Sequence, residues 1–431
     1  MSHQTAFEFF QGNSLSDLFA ADIGDGRYAL LLNYPATAKW AAYPNVQRYF
    51  LQDGSSESTK TSFDKICQKE PWKNLAVLGE HLPGIAIMQP PKLLHQYWRE
   101  HLGHNPKILD MDCSTYLDDL GDCEGAFGLN VDPCIDQVIT LFPFDRLRFE
   151  RHAVNPDTHY RLLSKATLNE LGIPCPNYKT YSLKDIEPRK LPLPEQFPYL
   201  IKTSHGLSGE GTYIIRNESD RNYCLEELEK YQAIHLLETV IVSEFVKNEV
   251  NNYCVQFYVS KTGEITLIGV TQQQVDLEGN YQGGLVDYTN DLSKFAEYVG
   301  QVGRYAHQHG YFGVIGVDML EDKDGQLFAI DANFRINGST PLCLQRHDMR
   351  ALGKTTAKYS SDYRMEGTLD TVLTTLEPWL ARKDFVILSA LEKVKYGKIY
   401  TEIYGIVSGE SLAEMGQLEQ ALHGKGLHLT A

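Results

Sequence analysis

The chain has 431 residues, a formal net charge of −16 and 42% hydrophobic residues. That length predicts two or three structural units with a sizeable core. The acidic balance argues against a nucleic-acid backbone or an anionic membrane as the main partner, and leaves room for a local basic pocket that takes a phosphorylated small molecule. Eight cysteines (Cys67, Cys113, Cys123, Cys134, Cys175, Cys224, Cys254 and Cys343) are scattered without a Cys-x-x-Cys pair. They read as reduced thiols, not as a disulfide framework or a zinc site. The N-terminus has no basic stretch followed by a long apolar one, and no run of about 18 apolar residues occurs. The expectation is a soluble, cytoplasmic protein.

In chain order, Tyr28–Asn33, Asn74–Gly79, Ile85–Met88, Ile108–Met111 and Val138–Leu141 read as strands. Pro91–Gly103 reads as a helix entered at Pro and left at Gly. Strands and helices alternating in this way predict an open α/β sheet. Asp157–Gly172 reads as one helix, and the Pro- and charge-rich stretch 183–198 as a linker. Tyr199–Arg216 reads as strand, glycine-rich turn, strand. Leu225–Leu237 is a predicted helix, Val240–Val246 and Tyr253–Val259 predicted strands, and Leu292–Gln308 a helix. Asp324-Gly325 between apolar runs predicts a two-residue hairpin turn. The tail reads as a strand pair near 385–407, a helix over about 410–423 and a short last strand.

Chemistry concentrates in four places. Lys202 precedes the loop His205–Gly211, whose glycines Gly206, Gly209 and Gly211 let backbone N–H groups approach a phosphate. It is not a P-loop, because no Gly-Lys-Ser/Thr opens a helix there, and a ligand-free turn is the alternative. Val242–Glu249 is an acidic, apolar crossover that could meet an adenine edge and a ribose, or be a solvated loop. Asp318 and Asp331 are symmetric about the Asp324-Gly325 turn, so they should face each other across the ladder, with Asn333 on the same face. Like charges opposed in a hairpin are destabilising. A hard divalent cation with oxygen ligands would neutralise them, with Arg335 placed to hold a phosphoryl or acyl phosphate group. Arg161 and Lys165 precede Gly172-Ile-Pro, and either cation could reach phosphates or base, or lie on a solvated helix face. Of the histidines, His205 is the candidate for proton handling because it sits in the loop. The polar, Gly-bearing stretch 270–288 is expected to line an acceptor pocket, with a plain surface loop as the alternative.

A cation before Gly-Ile-Pro, a Lys with a glycine-rich loop, an acidic hinge and Asp…Asp-x-Asn on a hairpin, in that order, resemble the ATP-grasp superfamily over about residues 157–345. The region upstream resembles the pre-ATP-grasp domain. The chain is most similar to bacterial carboxylate–amine ligases of natural-product pathways, such as pheganomycin-type peptide ligases and mycosporine-forming ligases. The resemblance implies an α/β fold with two subdomains sandwiching ATP. It places a pre-ATP-grasp domain at 1–150, a small subdomain with the lid at 151–240, a large subdomain with the metal hairpin at 241–360 and a C-terminal α/β extension at 361–431.

It further implies that Arg161 and Lys202 contact the nucleotide. His205, Gly206, Ser208, Gly209 and Gly211 would cover the phosphates, Glu244 and Val246 would meet the adenine, and Glu249 the ribose. Asp318, Asp331 and Asn333 would hold one or two Mg²⁺ ions, for which Mn²⁺ could substitute. Arg335 would steady an acyl phosphate, with Lys202 and His205 as further catalytic groups. Three positions depart from the family pattern: Arg161 stands where Lys is usual, Ser243 where an acid is common, and Asp331 where many relatives carry Glu. The implied activity joins a small-molecule acid and an amine, such as amino acids or short peptides, with ADP and phosphate released. The superfamily also implies a homodimer. A phosphotransferase and a non-catalytic ATP-binding module are the rival readings.

Overall fold

The computed structural model describes residues 7–24, 26–32, 68–86, 88–109, 134–143, 151–206, 211–233, 239–275 and 281–430. Strands β1 (Glu8–Phe9), β2 (Tyr28–Leu31), β3 (Gly84–Ile85), β4 (Ile108–Leu109) and β5 (Gln137–Thr140) come first. β2 to β5 form a four-stranded sheet in the order β4-β3-β2-β5, parallel at every contact. Ala29, Leu30, Leu31 and Leu32 are all buried, as a strand covered on both faces requires. The open α/β sheet expected from the alternation is present.

Asn74–Gly79 is not a strand. Pro71 sits at the start of a helix, Glu70–Leu75, where its missing N–H costs nothing. The carbonyls of Val77 and Leu78 then accept from the amides of Leu15 and Ser16, which open the helix Leu15–Ile23. The run Leu75–Leu78 is fully buried, and a short buried apolar run fits helix, turn or strand equally well. The helix from Lys92 holds as expected, ending in a π-type turn, Trp98–Leu102, at a left-handed Gly103.

The second sheet contains β6 (Tyr178–Ser182), β7 (Tyr199–Thr203), β8 (Thr212–Ile215) and β9 (Thr239–Glu244), antiparallel in the order β6-β9-β7-β8. It has its own core, in which Ile201, Ile215 and Val240 pack on Leu228 of the helix Glu218–Ala233. That helix starts earlier than its apolar residues imply, because the Asn217 side chain caps the amides of Ser219 and Asp220.

The third sheet collects β10 (Glu249–Val259), β11 (Ile265–Val275), β12 (Tyr281–Asp287), β13 (Gly313–Asp322), β14 (Leu327–Asn333), β15 (Thr356–Glu366), β16 (Phe385–Lys395), β17 (Lys398–Gly409) and β18 (His428–Leu429). With β1 it is ten-stranded, in the order β14-β13-β10-β11-β12-β15-β17-β16, with β1 beside β11 and β18 beside β15. The polar stretch from 270 is mostly strand and not a plain surface loop: Gln272, Gln273 and Gln274 pair with Leu285, Gly284 and Gly283. The expected divisions at 240 and 360 fall inside β9 and β15. Among the described residues no helix is long and apolar enough to cross a membrane.

The N-terminal region and the large sheet share one core, and the helix from Lys92 covers the free edge at β16. The Trp98 indole donates to the Ile387 carbonyl at 3.2 Å, and the Tyr97 hydroxyl accepts from the Ile387 amide at 3.1 Å. An uncovered edge would present those groups as a template for aggregation. Replacing both residues by Phe should therefore cost more than about 2 kcal/mol, roughly 1 per lost hydrogen bond plus the cavity left where the fully buried Trp98 indole is replaced by a smaller ring. Urea unfolding of the double variant checks this; a midpoint equal to wild type would mean the edge needs no cover.

Candidate functional site

The hairpin of β13 and β14 carries the paired acids, and its construction differs from the expected one. The tip is not a two-residue Asp324-Gly325 turn. The Asp322 amide donates to the Gln326 carbonyl at 3.0 Å and the Gly325 amide to the Asp322 carbonyl at 2.9 Å, with Gly325 at φ +78°. The Asp322 carboxylate accepts from the amides of Asp324 and Gln326, each at 2.9 Å. This three-residue loop shifts the register by one. Further along, Met319 pairs with Ala329 while Asp318 pairs with Asp331, so Ile330 is a bulge. The two departures cancel, and Asp318 faces Asp331 as expected, with Gly316 opposite Asn333.

The bulge does more than restore register. The Ile330 carbonyl, out of the ladder, accepts from Lys202 Nζ at 3.1 Å. Lys202 thus reaches from the small sheet to the edge of the large one, beside Asp331 and Asp318. Burial is the main influence on its ammonium, which is held down to about 8 against the opposing pull of Asp331. Burial, and then the Asp331 charge, push the Asp318 carboxyl well above the usual carboxylate range. Two acids that repel one another in a half-buried setting are a stored demand for positive charge.

The surrounding side chains meet part of that demand. Asn333 Nδ2 donates to Asp318 Oδ2 at 3.1 Å and Gln273 Nε2 to Asp318 Oδ1 at 2.5 Å. Lys165 Nζ lies 3.4 Å from Asp331 Oδ2. Arg335 donates to Asn333 Oδ1 at 2.8 Å and to the Ile336 carbonyl at 3.1 Å, and its guanidinium lies 5.3 Å from the centre of the Phe142 ring. Two of its five donors are used in these bonds. Asn337, two residues beyond Arg335 and the next alternate position by sequence, turns away from this row. It is buried, donating to the Arg335 carbonyl, and lies so close to Gly316 that a Cβ there would sit 2.4 Å from its side chain.

Lys165, not Arg161, is the cation that joins the cluster. Asp157–Gly172 is not one helix: Pro156–Leu162 ends, Ser164 caps a new 3-10 turn, and Lys165–Leu171 follows. In one continuous helix the two cations, four residues apart, would share a face. Broken, they part. Arg161 pairs with Glu170 at 2.8 Å, and Glu170 also accepts from Tyr305 at 2.6 Å. The Lys165 amide donates to the Ser204 carbonyl at 2.8 Å, fixing it beside the end of β7. The capping Ser164 after two leucines is the sequence signal for this restart.

His205 is held by its neighbours at the base of the loop. It stacks on Tyr160 with ring centres 4.0 Å apart. Its Nε2 donates to the Tyr160 carbonyl at 3.0 Å, so Nδ1 accepts from the Tyr160 and Ser204 hydroxyls. Gly206 and Gly211 flank the loop, and the Gly211 carbonyl accepts from the Thr203 amide at 2.8 Å. Ser208 and Gly209 lie outside the described residues. Glu244, Val246 and Glu249 lie on the crossover from β9 to β10. Glu244 is exposed and accepts from Asn177 Nδ2 at 2.9 Å, Val246 is half-buried, and Glu249 is paired with Asp322.

His159 carries no distinguishing signal in the sequence. In the fold it is buried, and its Nε2 lies 2.7 Å from the Phe334 carbonyl, between Asn333 and Arg335. Burial lowers its titration to about 4, so it is neutral at pH 7 and Nε2–H donates.

Residues 176–333 match the family described as L-aspartate–L-methionine ligase, ATP grasp. The chain is 27% identical over 156 residues to the [butirosin acyl-carrier protein]–L-glutamate ligase of Niallia circulans, covering 34% of this chain and 36% of that one. It is 22% identical over 248 residues to the D-alanine–D-alanine ligase of Petrotoga mobilis, covering 54% and 77%. Among solved structures it resembles N5-carboxyaminoimidazole synthetase from Staphylococcus aureus complexed with ADP, with a TM-score of 0.50, 15% identity and coverage of 98% and 100%. It also resembles L-amino acid ligase from Bacillus licheniformis, with a TM-score of 0.51, 14% identity and coverage of 94% and 98%.

The folded-state titration of His159 lies below its unfolded value of 6.5. Its contribution to stability is complete above that value and is lost as pH falls towards 4, at roughly 1.4 kcal/mol per pH unit in that window. Denaturant unfolding from pH 8 to 4 should show a shallower fall in His159→Gln than in wild type. Parallel curves would remove His159 from the acid response.

Proposed function

We propose that this chain, which has the ATP-grasp fold, is an ATP-dependent carboxylate–amine ligase. The observation that carries the reading is the juxtaposition at the end of β14. Two opposed carboxylates, Asp318 and Asp331, meet Lys165, Lys202, Asn333 and Arg335 where the small and large sheets meet. The likeness to ligases of amino acids supports it.

The donor set suits Mg²⁺. Asp318, Asp331 and the Asn333 amide oxygen offer only hard oxygen ligands. Among the described residues no group of three or more His, Cys, Asp or Glu side chains forms a self-sufficient metal site. A two-acid site leaves coordination positions for nucleotide phosphates, which is how Mg²⁺ is usually held. When bound it would neutralise phosphate oxygens. A third acid would favour an all-protein cage instead.

In this reading Lys202 and Lys165 face the phosphates, released from the Ile330 carbonyl and Asp331 as the nucleotide enters. Arg335 keeps free N–H donors for the transferring group. The substrate carboxylate oxygen attacks the γ-phosphorus and ADP leaves with the bonding electron pair. An amine nitrogen then bonds to the acyl carbon, the carbon–oxygen bond to phosphate breaks, and one N–H proton leaves with phosphate. No protein nucleophile is used, so positioning and charge neutralisation supply the acceleration. The loop after His205 would cover the site and exclude water, anchored at its base by the Tyr160 stack. The adenine would sit at the 244–249 crossover. ATP-dependent chemistry of this kind suits the cytoplasm.

The deciding assay offers acids and amines in a matrix with ATP and Mg²⁺, and reads ADP and the joined product by mass spectrometry. ADP only when both partners are present supports the ligase. ADP with one acceptor and a phosphorylated product would replace it with a phosphotransferase, and ATP-dependent thermal stabilisation without turnover with a binding module. Asp331→Asn and Arg335→Ala should each lower ADP formation by about 10² or more, as losses of transition-state contacts do. Lys165→Ala should raise the ATP KM by roughly tenfold, and Arg161→Ala should leave it within about twofold. The opposite order for the last two would return the nucleotide contact to Arg161.

A further inference from the structure

We propose that Gln273 couples the metal carboxylates to the amine acceptor, an inference that rests on the ligase reading above. β11 carries three consecutive glutamines whose side chains alternate across the sheet. Thr271 pairs with Cys254, and Cys254 pairs with Asp318. Gln273, two residues beyond Thr271, therefore shares the face of Asp318. Gln272 lies on the other face and donates to Asn251 at 3.2 Å.

The Gln273 amide is used at one end only. Its Nε2 donates to Asp318 Oδ1 at 2.5 Å, while its Oε1 accepts no hydrogen bond from the described residues. The N–H fixes the orientation of the Asp318 carboxylate, and with it the side from which a cation can approach. The carbonyl oxygen is thereby held next to the reacting centre as a neutral acceptor. An amine that attacks an acyl phosphate must arrive unprotonated, with an N–H available to donate. A carboxylate at this position would favour the ammonium form and stop attack; an amide accepts the N–H without taking the proton. Gln273 acts on the metal site through Asp318, as a positioning residue, and contacts the substrate directly through Oε1. The ligand class is a primary or secondary amine, such as the amino group of an amino acid.

Gln273→Met keeps the length and removes both donor and acceptor. Two quantities are measured: the Mg²⁺ concentration for half-maximal thermal stabilisation in the presence of ADP, and the KM for the amine in the ADP-release assay. Both should rise by about tenfold, the usual worth of a hydrogen bond to a charged or reacting group. Gln272→Met should change neither, and kcat at saturating Mg²⁺ and amine should move less than KM. If Gln273→Met does not fold, Gln273→Asn, too short to reach Asp318, takes its place with the same expectations. A Mg²⁺ half-saturation equal to wild type would overturn the link to Asp318, and an unchanged amine KM would overturn the acceptor role. If the wild type joins no acid to any amine, the ligase reading fails, while the Mg²⁺ titration still decides the link to Asp318.

Discussion

Two carboxylates face one another across a single strand pair, and much of the surrounding architecture answers that repulsion. Asp318 and Asp331 sit in register only because the Ile330 bulge offsets the three-residue tip. The same bulge turns a carbonyl toward Lys202. One extra residue thus sets the acid pair and anchors the cation that draws the small sheet against the large one. Asn333, Gln273 and Lys165 supply donors to the remaining carboxylate oxygens.

The cations come from a different part of the chain, and a helix break delivers them. Ending the helix at Leu162 and restarting at Ser164 sends Arg161 to Glu170 and Lys165 to Asp331. The same segment carries Tyr160, which stacks on His205 at the base of the loop, and His159, which holds the Phe334 carbonyl. Lys165, Tyr160 and His159 therefore tie one short stretch to the acids, the loop and the Asn333–Arg335 strand end. Moving that stretch would disturb all three together.

Support for the site is unequal across the molecule. The small sheet has a separate core and meets the large sheet through contacts such as Lys202 to the Ile330 carbonyl. The N-terminal sheet shares its core with the large sheet, and Tyr97 and Trp98 seal the β16 edge. Arg335 rests on Phe142, just beyond β5. The separately cored element is thus the one that would carry the phosphates and the lid in the proposed reading, and the element that shares its core with the N-terminal sheet carries the acids.

The sequence by itself determined the residue types and their order. The paired acids, Asn333, Arg335, Lys202 and the glycine-bearing loop were legible because each is a local pattern of turn residues and alternation. The open α/β sheet was legible from the alternation of strands and helices, and its parallel pairing came from the structure. The register at Asp318 was also reached, although the turn assumed for it was wrong, since the bulge that compensates leaves no mark in composition. Other features depended on contacts between distant segments. Whether Leu75–Leu78 is strand or turn rests on who accepts from its carbonyls, and here it is Leu15 and Ser16. The choice of Lys165 over Arg161 rests on Ser204, that of His159 among the histidines on Phe334, and that of Gln273 among three glutamines on Asp318. Tertiary structure decided these because a side chain's role is fixed by the partner that meets it, and that partner lies tens to hundreds of residues away in the chain.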